Sequence, residues 1–332
     1  MISSKRRRKS SRSVPRHRGR RLRRLFLGTL LVLAILFGCG YIWYRSQSHE
    51  TQTRLQKQTL TWIDQARTLP WVPHEIHLIL DWVAEQIPYH SAPVISAEVF
   101  AGDRTHTYAG IPVSEQKLTV LKNKGYLVGY DEQRRNPAWV AYRVFPPTSF
   151  HPPQRPEEFQ ADRRTRAQIQ PHDYRRSGYD RGHMAPNLAI ALLYGPEAQR
   201  ETFLMSNILP QTPELNRGVW KRLEARIIRR YATRFQEVWI IVGPIYSADS
   251  FTKLQCGVVI PDACFMILLD EHENGLRTLS FIIPQKITGD EDPALFLTSV
   301  RKIEQLTGLN FFSELPDDVE ELLENTVSPR LW

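Results

Sequence analysis

From Leu25 to Tyr44 the chain runs for twenty residues without a charged side chain. Directly before it, residues 1–24 carry twelve Lys or Arg and no Asp or Glu. A helix of that length rises about 30 Å, the thickness of a bilayer's hydrocarbon core. Tyr41, Trp43 and Tyr44 gather at the far end, where an aromatic belt meets the headgroups. A buried helix of a soluble domain is the competing reading, and the adjoining basic block weighs against it. The cation excess keeps the N-terminus cytoplasmic and sends everything from residue 45 to the periplasmic or extracellular side. The chain then divides into a basic tail (1–24), a single transmembrane signal anchor (25–44), a helical stalk (45–95) and a large domain (96–332). The apolar run is long for a cleaved signal peptide, and no small-x-small site follows it. Leu36-Phe37-Gly38-Cys39 faintly resembles a lipoprotein processing site, but Phe37 suits one poorly, so an uncleaved anchor is expected.

This division changes the meaning of the charge. The whole chain carries a net +9. Without the tail, 32 basic and 35 acidic side chains leave a net of −3. Bulk charge is therefore no evidence for a nucleic-acid surface, and any such surface must be local. The one local cluster is Arg163, Arg164, Arg166, Arg175 and Arg176, in a Pro- and Arg-rich loop over 146–176; it is either a solvated loop or a rim that tracks phosphates. Of the three cysteines, Cys39 falls in the span. Cys256 and Cys264 fit either a disulfide, which the compartment permits, or two buried thiols. No CxxC or Cys/His cluster suggests zinc.

The apolar pattern predicts an α+β domain. Two helices are expected within 45–95, interrupted at Leu69–Pro73. Gly125–Tyr130 and Pro137–Phe145 read as a β-hairpin. Glu237–Tyr246, Gly257–Ile260, Cys264–Leu269 and Leu276–Ile283 read as further strands. Between Leu215 and Tyr231, Leu215, Val219, Trp220, Leu223, Ile227 and Tyr231 recur at helical spacing. A last helix is expected over 291–306, with Leu295, Phe296, Val300 and Ile303 inward.

The chemistry concentrates in Asp180-Arg181-Gly182-His183. An imidazole exchanges protons near neutral pH, and a guanidinium grips phosphate through two hydrogen bonds. In isolation the tetrapeptide is a surface turn with a salt bridge. Asn216 near the start of the following helix and Glu224 two turns on change that reading. An amide oxygen is a hard ligand suited to Mg²⁺, which keeps most of its waters, and a carboxylate about 12 Å along the axis could hold one of them. With an imidazole and a cation opposite, these are the parts of metal-assisted phosphodiester hydrolysis. Alone, Asn216 would be a helix cap and Glu224 a solvated charge.

Gly178-Tyr179-Asp180-Arg181-Gly182-His183-Met184-Ala185-Pro186 resembles the signature of the DNA/RNA non-specific endonucleases, the Serratia-nuclease and endonuclease G type. Asn136–Tyr142, Thr202–Gln211, Leu215–Trp220, Leu223-Glu224 and Val242–Tyr246 resemble further family blocks in family order, over residues 120 to 285. The resemblance implies a mostly antiparallel central sheet flanked by helices, with a ββα-metal finger. It implies one Mg²⁺, with Mn²⁺ as a substitute, and DNA and RNA as substrates cut to leave 5′-phosphates. His183 would be the general base, Asn216 the sole direct protein ligand of the ion, and Glu224 the holder of one of its waters. Arg181 would contact the phosphate, and Asp180 would support the loop. The sequence departs from the family at Ile228 and Met266, where relatives often carry arginine and lysine, which puts substrate clamping there in doubt. The rival readings are a catalytically silent nucleic-acid-binding or uptake protein on the same fold, and a membrane structural protein with an incidental motif.

Overall fold

The computed structural model describes residues 94–332 apart from 248–251 and 273–274, together with 39–40, 42–67 and single residues or pairs between 73 and 87. Contacts divide the chain into two units, Met1–Tyr89 and His90–Trp332. Most of the expected membrane span lies outside the described residues, as does most of the second stalk helix. Among the described residues no helix is long and apolar enough to cross a membrane. The first unit contains helix α1 (His49–Arg67), with Leu60 and Ile63 buried.

The second unit is built on an antiparallel sheet. Its strands are β1 (Ile95–Ser96), β3 (Thr119–Lys122), β4 (Leu127–Asp131), β5 (Asn136–Val144), β8 (Val238–Ile245), β9 (Ala263–His272) and β10 (Gly275–Pro284), with the short β11 (Leu297–Thr298) on β10. They lie in the order β1-β10-β9-β8-β5-β4-β3. Both faces are covered, so the central strands read as continuous apolar runs rather than alternating ones. The pleat still sorts them. Val140, Tyr142, Ile240, Val242, Cys264, Met266 and Phe281 pack on one face. Trp139, Ala141, Trp239, Ile241, Phe265 and Ile267 pack on the other.

The first face carries α2 (Asn187–Glu201) and a long helix. The latter runs through Leu215–Trp220, Lys221–Arg226, Ile227–Tyr231 and Ala232–Phe235, kinked at Gly218 where the backbone leaves helical geometry, and is called α3. The six residues predicted to face inward on it are all buried. The other face carries α4 (Val300–Thr307) and α5 (Asp317–Asn325), through Val300, Ile303 and Leu323. Two small sheets complete the unit: β2 (Val113–Ser114) with β12 (Leu309–Asn310), and β6 (Asp180–His183) with β7 (Ile208–Gln211).

Two expectations are corrected, and one open choice falls to one side. Gly257–Ile260 forms no ladder beyond the single bridge Lys253↔Val259; Val258 and Val259 are buried, and the Val259 amide donates to the Arg134 carbonyl. The helix expected over 291–306 begins only at Val300. A 3₁₀ turn capped by Asp292 and the pairing of Leu297 and Thr298 with β10 precede it, and Ser299 caps it. Leu295 consequently points outward, 73% exposed. Finally, Cys256 and Cys264 are both free thiols. Without a strand at 257–260, Cys256 packs beside the small cluster of Ile169, Tyr174 and Val258. Cys264 faces the main core, where the Gln211 amide donates to its sulfur at 3.5 Å. Burial pushes that thiol up to about 12.

Candidate active site

The antiparallel pair β6 and β7, joined through α2, leads directly into α3. Its register pairs Asp180 with Gln211, Arg181 with Pro210, Gly182 with Leu209 and His183 with Ile208. Only glycine fits at 182: a Cβ there would lie 2.1 Å from the Gln211 side-chain oxygen, and Gln211 is fully buried. Buried Asn207 fixes the exit from β6, since its side chain accepts from the Ala185 amide at 2.8 Å and donates to the Ala185 carbonyl at 3.0 Å. The start of α3 is fastened to the loop after β10. The Thr212 amide donates to the Gln285 side chain at 2.8 Å, and Arg222 donates to the Gly289 and Glu291 carbonyls. Gly218 makes this possible, because a Cβ there would meet the Gly289 carbonyl oxygen at 2.5 Å.

Asp180 and Asn216 meet where β6 and α3 converge. Asn216 Nδ2 donates to Asp180 Oδ2 at 2.9 Å. The Arg217 guanidinium grips the same carboxylate with two bonds, Nε to Oδ2 at 2.8 Å and Nη2 to Oδ1 at 2.7 Å. Burial raises the Asp180 pKa, but these bonds outweigh it and hold the group below the ordinary carboxylate range. Because the Asn216 nitrogen is committed to a carboxylate, its oxygen is left as a free acceptor.

His183 sits between two aromatic rings, Phe159 at 5.2 Å and Phe203 at 5.1 Å between centroids. Two guanidiniums lie over those rings, Arg181 above Phe159 at 4.5 Å and Arg155 above Phe203 at 5.2 Å. The long loop reaches this position because Gln160 bridges to Leu204, accepting from Met205 and donating to the Phe203 carbonyl. Burial, then Arg155 and Arg181, push the His183 pKa down to about 3, so the ring is neutral at neutral pH. Its Nε2 is buried and has no hydrogen-bond partner among the described residues. An unpaired buried polar atom costs about 1–3 kcal/mol and calls for an explanation.

Glu224, on the same helix as Asn216, accepts from Trp220 Nε1 at 3.1 Å. Burial pushes its carboxyl up to about 8 against the opposing pull of Trp220, Arg155 and Lys221. Arg155 thus acts on both His183 and Glu224, which places those two side chains in one neighbourhood.

The donor set fits a hard cation that keeps its waters. Among the described residues no group of three His, Cys, Asp or Glu could cage a metal. What exists instead is one oriented amide oxygen and a buried carboxyl, the sparse protein ligation that Mg²⁺ accepts.

Sequence reasoning missed Arg155, Arg217, Phe159 and Phe203. Arg155 and Phe159 belong to a loop without periodicity, and nothing local marks them. Arg217 was visible beside Asn216, but its partner is far away in sequence. Of the loop arginines, Arg164 is structural: it pairs with buried Asp162 and donates to the Lys122 carbonyl. Ile228 and Met266 both lie in the core, 1% and 0% exposed, so a cation at either place would be a buried charge.

An antiparallel strand pair feeding a helix, with a neutral imidazole near two guanidiniums, is an arrangement suited to a phosphodiester substrate. Residues 103–318 match the model of the DNA/RNA non-specific endonuclease family, and the chain belongs to that family, whose members are hydrolytic endonucleases. It is 27% identical over 259 residues to a protein named Nuclease from a Nostoc strain, a match covering 74% of this chain and 92% of that protein. It is 30% identical over 232 residues to mitochondrial nuclease EXOG of Mus musculus, covering 62% of this chain and 60% of the mouse protein, less than two thirds of its length. A chain in the crystal structure of the EndoG/EndoGI complex, which concerns EndoG inhibition, superposes with a TM-score of 0.56 and 26% identity. That likeness covers 64% of this chain and 90% of the other.

Proposed function

We propose that this protein is a membrane-anchored, divalent-cation-dependent nuclease that hydrolyses DNA and RNA with little sequence preference and leaves 5′-phosphates. The observation that carries the reading is the neutral His183 imidazole, half-buried between Phe159 and Phe203, whose buried Nε2 has no partner among the described residues and whose flanking rings carry Arg181 and Arg155. Asn216 would hold a single Mg²⁺, or Mn²⁺ in its place, through its amide oxygen. When bound, that ion would supply positive charge to the scissile phosphate and the leaving 3′ oxygen.

The chain's own residues do the rest. The His183 imidazole takes the proton of the water that attacks phosphorus; the P–O3′ bond breaks, the departing 3′ oxygen takes a proton from solvent water, and the new hydroxyl stays with the 5′-phosphate. Phe159 and Phe203 keep the imidazole dry and therefore neutral. Arg181 and Arg155 face the negative charge that grows on the phosphate oxygens. Both are exposed, and Arg155 has no ion pair or hydrogen bond among the described residues, so it is available to a ligand. Glu224 supports the site from the third turn of α3. Backbone chemistry dominates, and no base-reading element is evident, so sequence preference should be weak.

The uncharged segment 25–44 and the basic tail before it support the anchor, with the nuclease domain periplasmic or extracellular. The EndoG/EndoGI complex raises a protein inhibitor as a class of partner. The purified full chain, given plasmid DNA and RNA in parallel with Mg²⁺ or with EDTA, tests the reading: both substrates should be cut with Mg²⁺ only, and end-labelling should find 5′-phosphates. Cutting that persists in EDTA, or binding without cutting, would overturn it, the latter in favour of a silent nucleic-acid-binding protein.

A further inference from the structure

We propose that Arg217 is a positioning residue which, acting through Asp180, sets the orientation of the Asn216 amide. The proposal rests on the reading of Asn216 as the cation-holding residue. The two ends of an asparagine amide have almost the same shape, and only their hydrogen-bond partners decide which way the group faces. Asp180 Oδ2 accepts from the NH₂ end of Asn216 at 2.9 Å and leaves the oxygen end for a ligand. An amide facing the other way would present two N–H donors to a cation and would not bind it.

This selection works only while Asp180 is held still, and Arg217 holds it. Its fork spans the carboxylate with Nε on Oδ2 and Nη2 on Oδ1, so Oδ2 receives Asn216 and Arg217 together. The fork ties the first residue of β6 to the first turn of α3, and consecutive residues of that turn make the two contacts. Its geometry also says what Arg217 does not do. Two of its donors are committed to Asp180, whereas Arg155 and Arg181 carry no ion pair among the described residues and lie over the rings that flank His183. Phosphate contact falls to that pair, and orientation falls to Arg217. The side chain is 70% exposed, so its removal leaves the core untouched.

Mn²⁺ binding to the nucleic-acid-free full chain, followed by electron paramagnetic resonance, reads this directly. Arg217→Ala and Asp180→Asn should each weaken Mn²⁺ roughly 10- to 100-fold, as loss of a ligand's orienting partner does. Their melting temperatures in EDTA should stay within a few degrees of the wild type. Arg217→Lys keeps the charge but not the two-point fork, so it should also weaken binding, by less than Arg217→Ala. At saturating Mn²⁺, KM for DNA should be unchanged in Arg217→Ala. Mn²⁺ affinity unaltered or tightened in Arg217→Ala, or Arg217→Lys indistinguishable from wild type, would overturn the proposal. Asn216→Ala is the separating control: if it leaves Mn²⁺ binding intact, the metal reading itself fails. If it abolishes binding while Arg217→Ala does not, only the positioning role fails.

Discussion

His183 and Glu224 show how one local environment moves two titratable groups in opposite directions. Burial disfavours the charged form of each, which lowers the imidazole to about 3 and raises the carboxyl to about 8. For Glu224 the folded-state value lies above the unfolded one. Its contribution to stability is therefore complete below about pH 4.5 and lost as the pH rises through about 8. In EDTA, Glu224→Gln should gain on the wild type by several degrees of melting temperature between pH 5 and pH 8; a constant difference across that range would contradict the assignment. Arg155 acts on both groups and has no other ionic partner among the described residues. Its replacement by alanine should cut the cleavage rate by about 10²–10³-fold, the usual cost of losing a donor to developing charge. A change of less than about threefold in that rate would remove Arg155 from the site. The residues proposed as base and cation-holding amide could be singled out in the sequence because Asp180–His183 and Asn216 fall in short motifs. Arg155 could not, because its place beside His183 depends on a long loop bridging at Gln160, a contact with no local periodicity.

Among the elements, α3 carries most of the site's precision. Its apolar spacing was readable in the sequence, and every residue predicted to face inward does so. What the spacing could not reveal is how the first turn is fastened. That depends on the loop after β10, where Gly218 and Gly289 pass backbone to backbone and Arg222 ties the two together. Gly218→Ala should therefore destabilise the protein by about 1–3 kcal/mol, since the obstacle is backbone and cannot swing aside. It should also weaken Mn²⁺, because the turn bearing Asn216 would shift. A Gly218→Ala protein with wild-type melting and metal affinity would show that the contact can relax. The strand expected at 257–260 failed for a related reason. Its apolar residues are buried, but in a small side cluster rather than in the sheet, and burial alone cannot tell the two apart. The helix expected from 291 failed because β11 pairs with β10 before Ser299 can start α4, a long-range choice that local pattern does not register.

At the scale of the whole molecule, the sheet with helices on both faces forms a unit from His90 onward. The strands that build it were legible as uninterrupted apolar runs, the mark of a sheet covered on both sides. Residues 90–332 expressed alone should unfold in one cooperative transition and cut DNA as the full chain does. Failure to fold would mean that the preceding unit completes the core. The anchor proposed for residues 25–44 predicts that protease added outside intact cells digests the domain, while one confined to the cytoplasm spares it; the reverse pattern would invert the topology. Charge belongs to this scale too. Once the tail is set aside the body is slightly acidic, so on the proposed reading substrate binding would depend on Arg155, Arg181 and a cation rather than on the protein's overall field.

The central claim is that a neutral His183 removes the proton of the attacking water. The most direct test is the plasmid-nicking rate of His183→Ala against wild type at saturating Mg²⁺, with matched melting temperatures. A loss of about 10²–10⁴-fold is expected for a general base. A His183→Ala protein that is folded, binds Mn²⁺ and cuts within a few-fold of the wild-type rate would contradict it.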